Sequence, residues 1–183
     1  MFWLLAGIAI HLVSYDTKAY DTSPGRHLSA AHWQHKSAQS GLATYWVDGG
    51  DPLTRGMVHL SAIEINSCGV IRLAPIDSVA AANIRVHLKM PVVLTLKDTP
   101  IVGLTTYENP QFTEVWITPG ELMTHAIITH ELGHAVLMPH VPGTVMNSSV
   151  LFPPLWGFGA DEEEHTVLCS ILKEQWLSLK KEK

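Results

Sequence analysis

Four residues confine this chain more tightly than anything else in it: His130, Glu131, His134 and His140. Two imidazoles four positions apart face the same way on an α-helix, about 40° apart around the axis and one turn along, so both can reach one ion about 2 Å away. Glu131 stands about 100° round from His130, where a carboxylate meets the water on such an ion and can take its proton. His140 adds a demand on the path of the chain. On a continued helix it would lie about 9 Å beyond His134 and on another face, so the chain must turn back for it to join the pair. Pro139 disfavours helical geometry at Met138 and so ends the helix near Leu137. Three neutral imidazoles leave a fourth position for water, the arrangement of a catalytic zinc site rather than a closed structural one. With 11 His in 183 residues, HExxH arises by accident in roughly 0.04 of such chains, and a third His at one given offset lowers that to about 0.002.

The run HELGHAVLMPH followed by PGTVM resembles the metzincin clan of zinc endopeptidases, in particular its matrixin-type members, whose pattern is HExxHxxGxxH with a methionine turn downstream. The resemblance implies an α+β fold: a mixed, mostly parallel twisted sheet with an antiparallel edge strand, a zinc helix and a C-terminal helix. It implies hydrolysis of peptide bonds by a metal-activated water, one catalytic Zn2+ on His130, His134 and His140, Glu131 as general base, and Met146 beneath the metal without binding it. It places a protein or peptide substrate along Leu104, Thr105, Thr106 and Tyr107 as an added strand. It offers Glu164 as the acidic residue that holds the methionine turn from the final helix, with a plain helix-start carboxylate as the other reading. The resemblance extends loosely from about residue 42 to 176. Leu137 departs from it, standing where the family has Gly, and a Leu in that left-handed conformation costs roughly 1–2 kcal/mol. Either the strain is borne or the turn differs. Asn147 follows Met146, so no Tyr reaching the metal is expected there. The matrixin structural zinc and calcium ligands are not recognisable between Lys89 and Val102, and the arm before residue 42 holds no Cys for a cysteine switch. A catalytically silent domain of the same shape that binds protein or peptide is the alternative. An accidental HExxH would bind no zinc at all.

Local patterns fill in the frame. Ala43 to Val47 is a β-prone run closed by Asp48-Gly49-Gly50. Asp51-Pro52 gives an N-cap with Pro at the first helical position, and Leu53, Met57, Leu60 and Ile63 recur at helical spacing up to Asn66. Cys68 to Leu73, Ile84 to Leu88, Leu104 to Tyr107 and Glu114 to Thr118 read as strands, and Val92, Leu94 and Leu96 add a short one. Thr118-Pro119-Gly120-Glu121 is a capping box that starts a helix from Pro119 to about Leu137. Asp161 to Glu164 starts another, carried by Val167, Leu168, Ile171 and Leu172 to Trp176.

The chain holds 12 Lys and Arg against 17 Asp and Glu, with no basic patch before the tail, so nucleic acid is not an expected partner. Residues 42–178 form one expected peptidase domain that acts as a monomer. Residues 179–183 are a charged tail. Residues 1–19 include the apolar run Phe2 to Val13, too short to span a bilayer and suited to a signal peptide or anchor, which makes the protein secreted or membrane-tethered. A packed strand or helix is the other reading of that run. Residues 20–41 read as a polar arm or linker, with His27, His32 and His35 solvated rather than metal-bound. The apolar run Val150 to Gly159 lines the pocket beside the metal, docks on a membrane or partner, or packs on the last helix. His125 and His165 are taken as structural or solvated. Cys68 and Cys169 form one disulfide or remain two buried thiols.

Overall fold

The computed structural model describes residues 32–89, 95–96, 99–100, 102–107, 109–118, 124–142, 144–146 and 162–181. The Phe2 to Val13 run, His27, Val92 and Leu94, the capping box beyond Thr118, Asn147 and the Val150 to Gly159 run lie outside them. Among the described residues no helix is long and apolar enough to cross a membrane.

The alternation read in the sequence builds the sheet. Strands β1 (Leu42–Gly49), β2 (Arg72–Pro75) and β3 (Ile84–Leu88) come first. A short antiparallel pair, β4 (Thr95–Leu96) and β5 (Thr99–Pro100), stands apart from the main sheet. β6 (Gly103–Thr106) and β7 (Thr113–Ile117) complete it. The five-stranded sheet runs β2-β1-β3-β7-β6, with every pair parallel except β6 against β7. An α+β fold with a mostly parallel sheet and one antiparallel edge strand is therefore present. Ala43, Tyr45 and Val47 of β1, Ile84, Val86 and Leu88 of β3, and Val115 and Ile117 of β7 all point into the core. Period two requires this once one face is covered.

Helix α2 (Pro52–Asn66) makes the crossover from β1 to its parallel neighbour β2. Its start is as expected: Asp51 accepts from the backbone N–H groups of Leu53 and Thr54 at 2.8 and 3.1 Å. Its buried face is not. Leu53 and Ile63 are 71% and 63% exposed, while Thr54, Val58, Ser61, Ala62 and Ile65 face inward. The buried hydroxyl of Ser61 is satisfied by Thr129 at 2.7 Å, which is what makes a polar residue admissible there. The strand expected at Cys68 to Leu73 begins only at Arg72, because Cys68 and Gly69 are spent on the turn that closes α2. Cys68 instead forms a disulfide with Cys169, 101 residues on, which settles the two readings of the cysteines.

Two further corrections concern the ends. His32–Ser40, within the segment expected to be a polar arm, form helix α1, whose Trp33, Gln34, Ser37 and Ala38 are buried. The Trp33 indole N–H donates to Thr113 at 3.0 Å and the Gln34 amide to the Ala135 carbonyl at 2.9 Å. Helix α4 (Glu162–Lys181) runs past Trp176 into the expected charged tail and buries Leu179 alongside Leu168, Leu172 and Trp176. Acidic residues fill its first turn and lysines its last, each matching the helix dipole.

Candidate metal centre

The central helix, α3 (Thr124–Ala135), is buried at ten of its twelve positions, including His130 and Glu131. Beyond Ala135 the chain turns at Leu137, whose φ is +69°. Met138 N–H donates to the Gly133 carbonyl at 2.9 Å and Leu137 N–H to the His134 carbonyl at 2.7 Å. That pair of bonds is a Schellman ending with Leu137 in the left-handed position. The chain therefore does turn back as the position of His140 demanded, and the strain is borne. Leu137 is 4% exposed within the core. Truncating a buried Leu costs about 2–5 kcal/mol, against a strain of roughly 1–2 kcal/mol. Leu137→Gly is accordingly expected to lower stability, by about 1–3 kcal/mol in a denaturant titration, although it relieves the backbone.

Three side chains secure the buried carbonyl end of α3. The Tyr107 hydroxyl donates to the His134 carbonyl, Gln34 to that of Ala135, and the Trp176 indole N–H to that of Val136 at 2.8 Å. The Ala135 and Val136 carbonyls would otherwise lack these donors, while that of His134 also accepts from Leu137 N–H.

The three histidines converge. The Nε2 atom of His134 lies 2.9 Å from that of His130 and 3.1 Å from that of His140. The Nδ1 atoms of His130 and His134 are 2.8 and 2.9 Å from the carbonyls of Val145 and Met138. A carbonyl only accepts, so Nδ1 carries the proton on both rings and both Nε2 atoms present lone pairs. Two lone pairs at 2.9 Å repel unless a cation lies between them. Nitrogens about 2.0–2.1 Å from one tetrahedral ion stand about 3.3 Å apart, close to what is found, so the donor set fits a metal ion.

The electrostatics agree. Burial holds the His130 imidazole below its ordinary pKa, against the Val145 hydrogen bond. Burial, then the neighbouring His130 and His140, push His134 well down. Burial, then His130, push His140 to about 4. Each shift favours the neutral imidazole, the form that binds a metal. Burial raises the Glu131 carboxyl to about 7, opposed by the Thr105 hydroxyl, which donates to Glu131 Oε2 at 2.6 Å. A Cβ on Gly103 would stand 2.7 Å from Glu131 Oε1, so only glycine leaves room for the carboxylate beside β6.

Met146 is fully buried. A Cβ on Gly133, between the two helical histidines, would lie 2.4 Å from its Sδ, so the thioether packs directly on the α3 backbone. Its turn is closed by Val141 N–H to the Met146 carbonyl at 2.8 Å and by Met146 N–H to the Thr144 hydroxyl at 3.0 Å. Glu164 Oε1 accepts from Val145 N–H at 2.7 Å, so this carboxylate does hold the turn from α4. It thereby fixes the carbonyl that orients His130.

No protein-family model matches this sequence, and no curated protein matches it.

The expected substrate segment, Leu104 to Tyr107, lies along the outermost strand. Among the described residues β6 pairs only with β7, as the sheet edge. The side chains of Thr105 and Tyr107 turn inward to Glu131 and to α3, while Leu104 and Thr106 occupy the alternate, half-exposed positions. Sequence reasoning missed Gly103, Gln34 and Trp176 as supports of the site. Nothing local marks them, since their partners are 28 to 101 residues away in the chain. His125 pairs with Glu64 of α2 at 3.5 Å and takes no part in the site.

Proposed function

We propose that this protein is a zinc-dependent endopeptidase of the metzincin type, with a matrixin-like catalytic domain. The observation that carries the reading is the convergence of the His130, His134 and His140 Nε2 atoms, with the buried carboxyl of Glu131 on the same helix next to His130. Bound there, Zn2+ would supply a Lewis acid that activates water and polarises the substrate carbonyl. Glu131 would take the proton of the attacking water and deliver it to the leaving amine, the role of a positioned carboxylate. Thr105 holds that carboxyl in one orientation. The outer edge of β6, which among the described residues pairs only with β7, binds an extended peptide through the backbone groups of Leu104 and its neighbours, with little regard to sequence. The Met146 thioether packs directly on the α3 backbone at Gly133, between the two helical ligands. The Cys68–Cys169 disulfide supports an oxidising compartment. It suits a secreted or tethered enzyme with residues 2–13 as its signal or anchor.

The direct test is to incubate the zinc-loaded chain with an unfolded protein and map new termini by mass spectrometry. Internal cleavage that stops on chelation and returns with zinc is expected. Stoichiometric zinc with no cleavage would leave a silent peptide-binding domain, and no zinc at all would end both readings. A finer expectation concerns Thr105. Thr105→Val lowers kcat roughly 10- to 100-fold at unchanged zinc content, because the base loses its anchor, and Thr105→Ser restores it.

A further inference from the structure

A second cluster of metal-type ligands lies outside the three-histidine centre and shares no residue with it. Cys68 in the turn after α2, and His165 and Cys169 on α4, each offer a ligand atom within 4.8 Å of the other two. His165 and Cys169 are four apart on a helix, the same spacing that aligns His130 with His134. The Cys169 sulfur lies 3.5 Å from His165 Nε2 and 3.7 Å from Nδ1, so the ring stands against the disulfide. The hydroxyl of Ser67, the residue before Cys68, is 2.7 Å from His165 Nε2 and holds the ring there. All three ligand residues are partly exposed, and a surface pocket lined by Cys68, Val70, Lys173, Trp176 and Lys180 opens beside the bridge. Small reductants and ions can reach it.

We propose that Cys68, Cys169 and His165 form a second metal site that is closed as a disulfide when oxidised and holds a thiophilic divalent cation, Zn2+, when reduced. A dithiol reductant breaks the Cys68–Cys169 bond, places one hydrogen on each sulfur and leaves as its own cyclic disulfide. The cation then displaces both thiol protons to solvent and binds two thiolates and one imidazole, with water completing four ligands. Sulfurs about 2.3 Å from one tetrahedral ion stand about 3.8 Å apart, which side-chain rotation reaches from the bridged state. Either state joins the end of α2 to α4, so the tie between them survives a change of redox compartment.

Cobalt(II) separates this site from the other, because only thiolate ligands give a ligand-to-metal charge-transfer band. The full chain is titrated with cobalt before and after anaerobic reduction by a phosphine, which does not itself compete as a thiol. The oxidised chain is expected to show no thiolate band. The reduced chain gains one further cobalt with that band, and the metal shields both thiols from alkylation. The reduced His165→Ala variant binds this cobalt roughly tenfold or more weakly, since even outer-shell losses cost about 10–100-fold. A reduced chain with no thiolate band, whether folded or not, overturns the proposal. So does a His165→Ala variant that binds as tightly as the parent, which would mark unspecific capture by thiols. The band reports on this site even where the three-histidine centre takes no metal, so failure of one reading is not failure of the other.

Discussion

Glu131→Gln abolishes most hydrolysis while leaving the zinc in place: kcat falls about 10²- to 10⁴-fold, the range that a positioned proton acceptor contributes. The substitution is close to isosteric, so the 8% exposed site keeps its packing, and the Thr105 hydroxyl still finds an oxygen to donate to. KM for a peptide is expected to change little, because on the proposed reading β6 and not Glu131 pairs with the substrate backbone. The decisive comparison is metal content beside kcat for parent and variant prepared identically. A variant that loses zinc in proportion to activity would make Glu131 a structural prop. One that keeps both zinc and full activity would remove it from the chemistry.

The second large effect is thermodynamic. An ion that binds only the folded chain stabilises it by about 4 kcal/mol when free zinc stands at about 1,000 times Kd. At about 2–4 °C per kcal/mol for a chain of this size, that is a rise in Tm of roughly 8–16 °C over the chelator-treated protein. His140 is only partly buried, which makes His140→Ala the cleaner probe. That variant should fold, keep its metal-free Tm within a few degrees and lose most of the zinc-dependent rise. A parent whose Tm ignores zinc, measured by calorimetry with and without chelator, would contradict a three-histidine centre.

What was legible beforehand was what depends on near neighbours. The spacing of His130, His134 and His140 forces a helix followed by a reversal, and both are there. Alternation in Ile84 to Leu88 and Glu114 to Thr118 needed only one covered face. Leu137 was legible as a problem but not as its answer, because the burial that offsets its strain is tertiary. The face of α2 was misread for a similar reason. Hydrophobicity favoured Leu53, Leu60 and Ile63, yet the inward face carries Ser61, whose partner Thr129 is 68 residues away. Cys68 to Leu73 looked continuous as a strand because nothing local shows that Cys68 is held by Cys169. The polar composition of residues 32–40 concealed a packed helix, since the buried Gln34 amide donates to a carbonyl 101 residues away.

That last contact changes where the working unit begins. Gln34 is the sole side-chain donor found for the Ala135 carbonyl among the described residues, and Trp33 ties the same helix to β7. Trimming the chain at residue 41, where the peptidase pattern starts, would remove a peg from beneath the histidine-bearing helix. Such a fragment would carry every ligand and the base, yet hold them on a helix frayed at the end nearest His134. The segment ahead of the domain is thus a foundation stone, and the shortest fragment expected to hold the three-histidine cluster in place starts upstream of Trp33.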